Sequence, residues 1–433
     1  MQRYYKILCQ QGKTTIMKKN IRYVLGCMLT ISCILFFQFG CMKDHSTKTY
    51  TIVKPVYKDK STVLSEINGS ATQPIENAGK IYIKDKFIFL NEVDKGIHII
   101  NNSDPSHPVQ TSFLNIPGNQ DIAVKGNTMY ADMYSDLLAI DITDVRHVRT
   151  TKVLHNFFTE SNWINGYSAD SNQVITGWIK KDTTVPVENV SPPFSDQCMN
   201  CSFDLANTTA KSSPTGVAGS MARMVLMNNY LYAVTEPHTL GVVNVSNAAV
   251  PYVANNMSAG YDLQTIYPFE GKLFMGSAVG LFMYDVSDPE HPAKLGEFSH
   301  GRACDPVVTD GKFAYVTLHA GTECGGSANE LNIINIQDLL NPSLVKSYPM
   351  TKPTGLSKDG NLLFICDGTS GVKVYNASDP ANLKLLKQIE SNEPYDVITG
   401  NNKALVVAKN GLYQYDYSNV DNIRLLSLIS MKK

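Results

Sequence analysis

Between residues 79 and 429 the chain alternates short apolar runs with tight polar turns, and no segment there carries helical periodicity in competition with the strand pattern. The clearest stretch is Gly280 to Leu295. A short apolar strand entered through Gly280 runs into Ser287-Asp288-Pro289, and a second short strand follows. Asp288 and Pro289 suit the first two positions of a type I turn, because the carboxylate caps local backbone donors and proline presets φ. One such hairpin cannot bury its own faces, so its meaning lies in its recurrence.

The same turn returns at Ser103-Asp104-Pro105, Thr143-Asp144, Ser246-Asn247, Gln337-Asp338 and Ser378-Asp379-Pro380, with a period of about 41 residues. Upstream of each turn sits a first strand, a polar turn such as Glu270-Gly271-Lys272 or Asp359-Gly360-Asn361, and a second strand such as Leu362 to Ile365. These polar turns supply the left-handed backbone of two-residue hairpins. Four antiparallel strands per period is one propeller blade. The expectation is an all-β chain, a single β-propeller of four-stranded blades over residues 74–433. Eight units can be marked, at 79–116, 119–154, 166–188, 220–257, 261–299, 302–350, 353–390 and 393–429. Seven blades is the alternative, because 166–188 has no hallmark turn, and a Pro/Ser/Thr/Asn-rich insertion follows at about 183–219. Closing the ring would also remove the sheet edges of an open array.

The unit Gly280-Leu281-Phe282-Met283-Tyr284-Asp285-Val286-Ser287-Asp288-Pro289, echoed at 96–105 and 371–380, resembles the LVIVD-repeat β-propellers. The stretch from Gly79-Lys80-Ile81-Tyr82 to Asp141-Ile142, with Ile116-Pro117-Gly118, is similar to the lipoprotein members found in Bacteroidetes. The resemblance implies a secreted or surface-anchored propeller, and it brings no reaction with it.

Lys18, Lys19 and Arg22 precede an apolar run from Tyr23 to Phe39, which ends at Gly40-Cys41 before a polar stretch. This order of charged, apolar and small residues reads as a signal peptide over 1–41, with Cys41 as the lipidated first residue of the mature chain. An uncleaved membrane anchor is the other reading of the run. Met17 is a candidate true start, and 42–73 reads as a tether and cap. Both readings export the rest of the chain to the cell envelope, with the outer membrane as the expected site and the lipid anchor as the contact with it. The formal net charge of −1 gives no basic face for nucleic acid.

Candidate chemistry is sparse. An aspartate stands at the head of several first strands, Asp121, Asp262, Asp305 and Asp396. First strands line a propeller's channel, so these carboxylates should form a partial ring near one mouth. They could hold a divalent cation or polar ligand there, since hard cations take carboxylate oxygens. Alternatively each ties its blade to a neighbouring loop, and recurrence at equivalent positions favours the tie. Cys304 and Cys324 are disulfide candidates, and closing about 20 residues would contribute roughly 3 kcal/mol. Cys198 and Cys201 read as a local disulfide in the insertion, and Cys366 as a buried thiol. Trp163 and Tyr167 could present a platform to a sugar or peptide. No nucleophile motif, paired metal-ligand histidines or phosphate loop appears. The leading expectation is therefore a binding or scaffolding module for a protein or glycan partner. Two rivals stand beside it, a metal-assisted hydrolase or lyase at the axis with His319 as acid or base, and an assembly partner engaged through residues 183–219.

Overall fold

Strands of three to seven residues whose inner members are buried on both faces must pack sheet against sheet, and the chain solves this seven times among the described residues. The computed structural model describes residues 47–159, 166–170, 172–186, 217–220, 222–303, 306–320, 326 and 328–432.

Blade 1 is built on Ala78–Lys84, Phe87–Glu92, Gly96–Asn101 and Val109–Asn115. Blade 2 is Ile122–Lys125, Thr128–Met133, Asp136–Asp141 and Arg149–Leu154, and blade 3 is Met224–Met227, Tyr230–Glu236, Thr239–Asn244 and Tyr252–Ser258. Blade 4 comprises Leu263–Phe269, Lys272–Ser277, Gly280–Asp285 and Ala293–Ser299, and blade 5 Val307–Thr309, Phe313–Leu318, Glu330–Asn335 and Ser343–Pro349. Blade 6 runs through Leu356–Asp359, Leu362–Cys366, Val372–Asn376 and Lys384–Ile389, and blade 7 through Pro394–Gly400, Lys403–Ala408, Gly411–Asp416 and Arg424–Ser430. In each blade the strands pair antiparallel in chain order, and the first strands of successive blades touch from blade 1 to blade 7. The second strands are nearly all buried, while the fourth strands of blades 3 to 7, such as Lys384–Ile389, are mostly exposed. The apolar cores lie between blades: Ile81, Leu90 and Ile100 of blade 1 pack with Ile398, Leu405 and Leu412 of blade 7.

The hallmark turns explain the count. In all seven blades the last residue of the third strand and the residue three places later each accept a backbone N–H two residues on. Asp285 accepts from Ser287 N at 2.6 Å and Asp288 from Glu290 N at 3.2 Å, and Asp416 and Asn419 do the same in blade 7. Such short-range turns close without help from the rest of the fold. The eighth unit expected at 166–188 is not a blade. Without the double turn, Gln173–Pro186 continues as one 14-residue strand and pairs with Thr47–Asp59 in a two-stranded sheet. The stretch read as tether and cap thus contains a 13-residue strand and the helix Lys60–Glu66, whose Val63 is buried.

By contacts the chain divides into two units. The first, Met1–Ile52 with Lys180–Ser195, shows among its described residues strand segments in which Thr51 Oγ1 donates to Asp182 Oδ1 at 2.7 Å. The second, Val53–Ile179 with Asp196–Lys433, contains the propeller.

The ring closes without exchanging a strand between its ends. Blade 7 meets blade 1 through Asn102 and Gln414, whose amides pair at 2.8 and 2.9 Å. Ser427 Oγ donates to the Pro105 carbonyl at 2.7 Å, Lys432 N to Ile75 O at 2.7 Å, and Tyr395 Oη to Ala78 O.

Candidate functional site

The channel side of blade 1 is occupied by the protein's own backbone. Val217–Ala218 adds to the inner edge of Ala78–Lys84, with Val217 opposite Ile83 and Ala218 opposite Tyr82. Two residues on, Ser220 Oγ accepts the Leu356 N–H of blade 6 at 2.9 Å, and Ala222 O accepts Ile266 N–H of blade 4 at 2.7 Å. The segment that leads into blade 3 therefore binds the first strands of three other blades.

Beside it lies a buried polar cluster. Lys80, 3 % exposed on the first strand of blade 1, donates from Nζ to Asp121 Oδ2 at 2.9 Å. The same oxygen accepts Arg223 N–H at 2.7 Å, and Asp121 Oδ1 accepts Ile122 N–H at 2.8 Å. One carboxylate thus joins blades 1, 2 and 3. Burial pushes the Lys80 ammonium down, and Asp121 works against that shift. Behind them Asp132 Oδ1 accepts Asp121 N, Gln120 N and Asn119 Nδ2 at 2.8 to 3.0 Å, yet burial outweighs these donors and pushes its carboxyl up to about 7. Asn119 in turn ties to Asn91 of blade 1 at 2.8 Å.

The other axial aspartates have different surroundings. Asp396 is fully buried, with Oδ1 accepting Val397 N–H at 2.6 Å and Oδ2 without a hydrogen-bond partner among the described residues. Burial holds its carboxyl well above the usual range, with the nearby Lys80 charge opposing. Asp262 is partly exposed, sits at a φ of 58° and pairs with Arg302 at 2.9 Å. Asp305 lies outside the described residues, as do Cys41, Cys198, Cys201, Cys304, Cys324 and Trp163. The described members therefore have different partners, and Asp121 is the blade tie.

His319 faces a buried setting in which desolvation, aided by Lys352, lowers it to about 4. It is neutral near pH 7, and its Nδ1 has no partner among the described residues. Cys366 is a free, buried thiol pushed up by desolvation and by Asp396 and Asp367, so it is unsuited to nucleophilic work. His107, His147 and His291 each bond the hallmark aspartate of their own turn, at 2.8, 2.7 and 3.0 Å. Tyr167 meets Trp178 edge to face at 6.0 Å. Among the described residues no three His, Cys, Asp or Glu side chains converge to hold a metal ion. Sequence reading missed Lys80 and Asp132. The signal for Lys80 was a charge inside an otherwise apolar first strand, but its partner comes from another blade.

The LVIVD repeat family matches residues 76–113, which cover most of blade 1. No curated protein matches in sequence. Among solved structures, the computationally designed Ika8 protein is similar at a TM-score of 0.50 and 9% identity, covering 84% of this chain and 90% of its own. A protein from Lactobacillus plantarum gives 0.48 at 12% identity over 80% and 98%, and BamB from Moraxella catarrhalis 0.45 at 8% over 84% and 97%. The chain is a seven-bladed β-propeller that carries an LVIVD repeat.

Proposed function

We propose that this protein is a non-enzymatic binding or scaffolding module, carried on a lipidated Cys41 at the outer membrane of a bacterial cell envelope. The observation that carries the reading is the use made of Asp121. Its two oxygens are taken by the Lys80 ammonium and by the Arg223 and Ile122 N–H groups. The group best placed to start a site at the axis is thereby consumed in joining blades, which leaves the outer surfaces for partners. The charged and apolar runs that end at Cys41 support the anchor.

A second reading has one observation in its favour. The unpartnered Oδ2 of buried Asp396 is the kind of orphan that a cation or water would satisfy, which a metal-assisted hydrolase or lyase requires.

Elemental analysis with thermal unfolding, with and without chelator, in wild type and Asp396→Asn, separates the two. The binding-module reading expects no stoichiometric metal and no chelator effect. A bound metal, with a midpoint lowered by chelator in wild type but not in the variant, would replace it with the enzyme reading. The anchor is tested separately by Cys41→Ser, which should move the protein from the membrane fraction to the soluble one.

A further inference from the structure

Blades 1 and 2 treat the open edges of their outermost strands differently. On blade 1 the edge is covered by the chain's own Gly69–Ser70, with Gly69 opposite Leu114 and Ser70 opposite Phe113. The Ser70 hydroxyl also donates to the Phe113 carbonyl at 2.9 Å. On blade 2, Arg149–Leu154 is the last strand of its sheet. It borders a groove of about 620 Å³ that is also lined by Leu64 and Ser65 of the short helix and by Ile67 and Asn68 after it. All six residues from 148 to 153 line this groove, so the strand runs along its length. Leu64 is half-buried and Ile67 and Val148 are buried, which makes an apolar floor.

The charges on the lining are of one sign. Arg149, Lys152 and His155 are basic, and no carboxylate lines the groove. Arg149 is held by Asp141 at 3.1 Å and His155 by Asp136 at 3.2 Å, whereas exposed Lys152 has no carboxylate partner among the described residues. Thr150 Oγ1 is buried and has no hydrogen-bond partner among the described residues.

We infer that this groove receives an extended peptide bearing acidic side chains, which adds as a fifth strand to the outer edge of blade 2. Strand addition gives affinity through main-chain hydrogen bonds and specificity through alternate side chains. Blade 1 already satisfies the corresponding edge in this way with the segment that leaves the groove's wall. In the acidic peptide the carboxylates meet Lys152, and apolar side chains between them meet Leu64, Ile67 and Val148. The inference rests on the binding-module reading and names the class of partner.

The test uses the full chain and a fluorescein-labelled hexapeptide alternating valine and glutamate, followed by anisotropy. Lys152→Glu and Ser65→Trp change exposed residues, so both should keep the wild-type unfolding midpoint. Each should weaken binding at least tenfold, as should lysine in place of glutamate in the peptide or N-methylation of the peptide amides that face Arg149–Leu154. Amide exchange at residues 149–153 should slow when the peptide is bound. Absence of binding, or binding indifferent to both protein variants, would overturn the groove. Neither result bears on metal content, so the binding-module reading stands or falls by the chelator experiment alone.

Discussion

The outer turns and the axial cluster both rest on aspartates at recurring positions, and they behave in opposite ways. Asp104, Asp144, Asp288, Asp338 and Asp379, with Asn247 and Asn419, all accept the N–H two residues on. Asp121, Asp262 and Asp396 stand at equivalent heads of first strands, yet they have partners from two other blades, one exposed arginine, and an orphaned buried oxygen. A side chain satisfied within its own turn repeats its role wherever the turn repeats. One satisfied across blades depends on whatever its neighbours present, and no two neighbours here are alike.

The sharpest way to break the comparison is Asp121→Ala. It removes the hydrogen-bonded counter-charge of the buried Lys80 ammonium, so chemical denaturation should show a loss of about 3–5 kcal/mol. Adding Lys80→Met should recover most of it. If the double variant is no better than the single one, the pair is not the tie between blades described above. Gly355→Ala comes next, because a Cβ there would meet Asp396 Oδ1 at 2.7 Å and Tyr395 O at 2.8 Å. Overpacking this junction of blades 6 and 7 should cost about 1–3 kcal/mol by the same measurement.

Two groups should then separate by pH. Asp132 rises from 3.8 to about 7 on folding, so it favours the folded state below pH 3.8 and that contribution is lost as pH climbs to 7. His319 falls from 6.5 to about 4, so the unfolded chain binds the extra proton between those values and stability is lost as pH drops through them. Stability measured from pH 4 to 7 should rise more steeply with pH in Asp132→Asn than in wild type. It should fall with pH in His319→Gln relative to wild type. Parallel profiles in all three proteins would refute both assignments. Least of all should Asp288→Ala matter: its turn is solvent-exposed and flanked by an intact Asp285 turn, so a shift near the limit of thermal detection is expected, and a large one would mean the turns carry blade packing.

Much of the fold was legible for the same reason that the outer turns repeat. Asx turns, hairpin turns and period-two strands are local, so the run from Gly280 to Pro289 announced its own geometry, and its echoes announced the array. The count of eight went astray where the local signal stopped: residues 166–188 have strand-like composition and no double turn. The blade 7 turn at Ser418-Asn419, with Asp416 before it, would have completed a set of seven hallmarks. Of the axial cluster, the sequence exposed Asp121 but neither Lys80 as its partner nor Asp132 behind it. Lys80 and Asp121 lie 41 positions apart in different blades, and only the packing of one blade on the next brings them together. Asp132, by contrast, meets Asp121 within a single hairpin of blade 2, and what the sequence hid was its burial.

By itself, then, the sequence determined the repeating blade, the antiparallel hairpins and the turns that end each third strand, because each is satisfied by atoms a few residues apart. Tertiary structure alone decided that Gln173–Pro186 pairs with Thr47–Asp59, that Val217–Ala218 adds to blade 1 at its channel edge, and that Lys80 and Asp121 neutralise each other in the interior. The physical reason is that a buried charge or an open sheet edge must find a partner somewhere, and where that partner lies is fixed by ring closure.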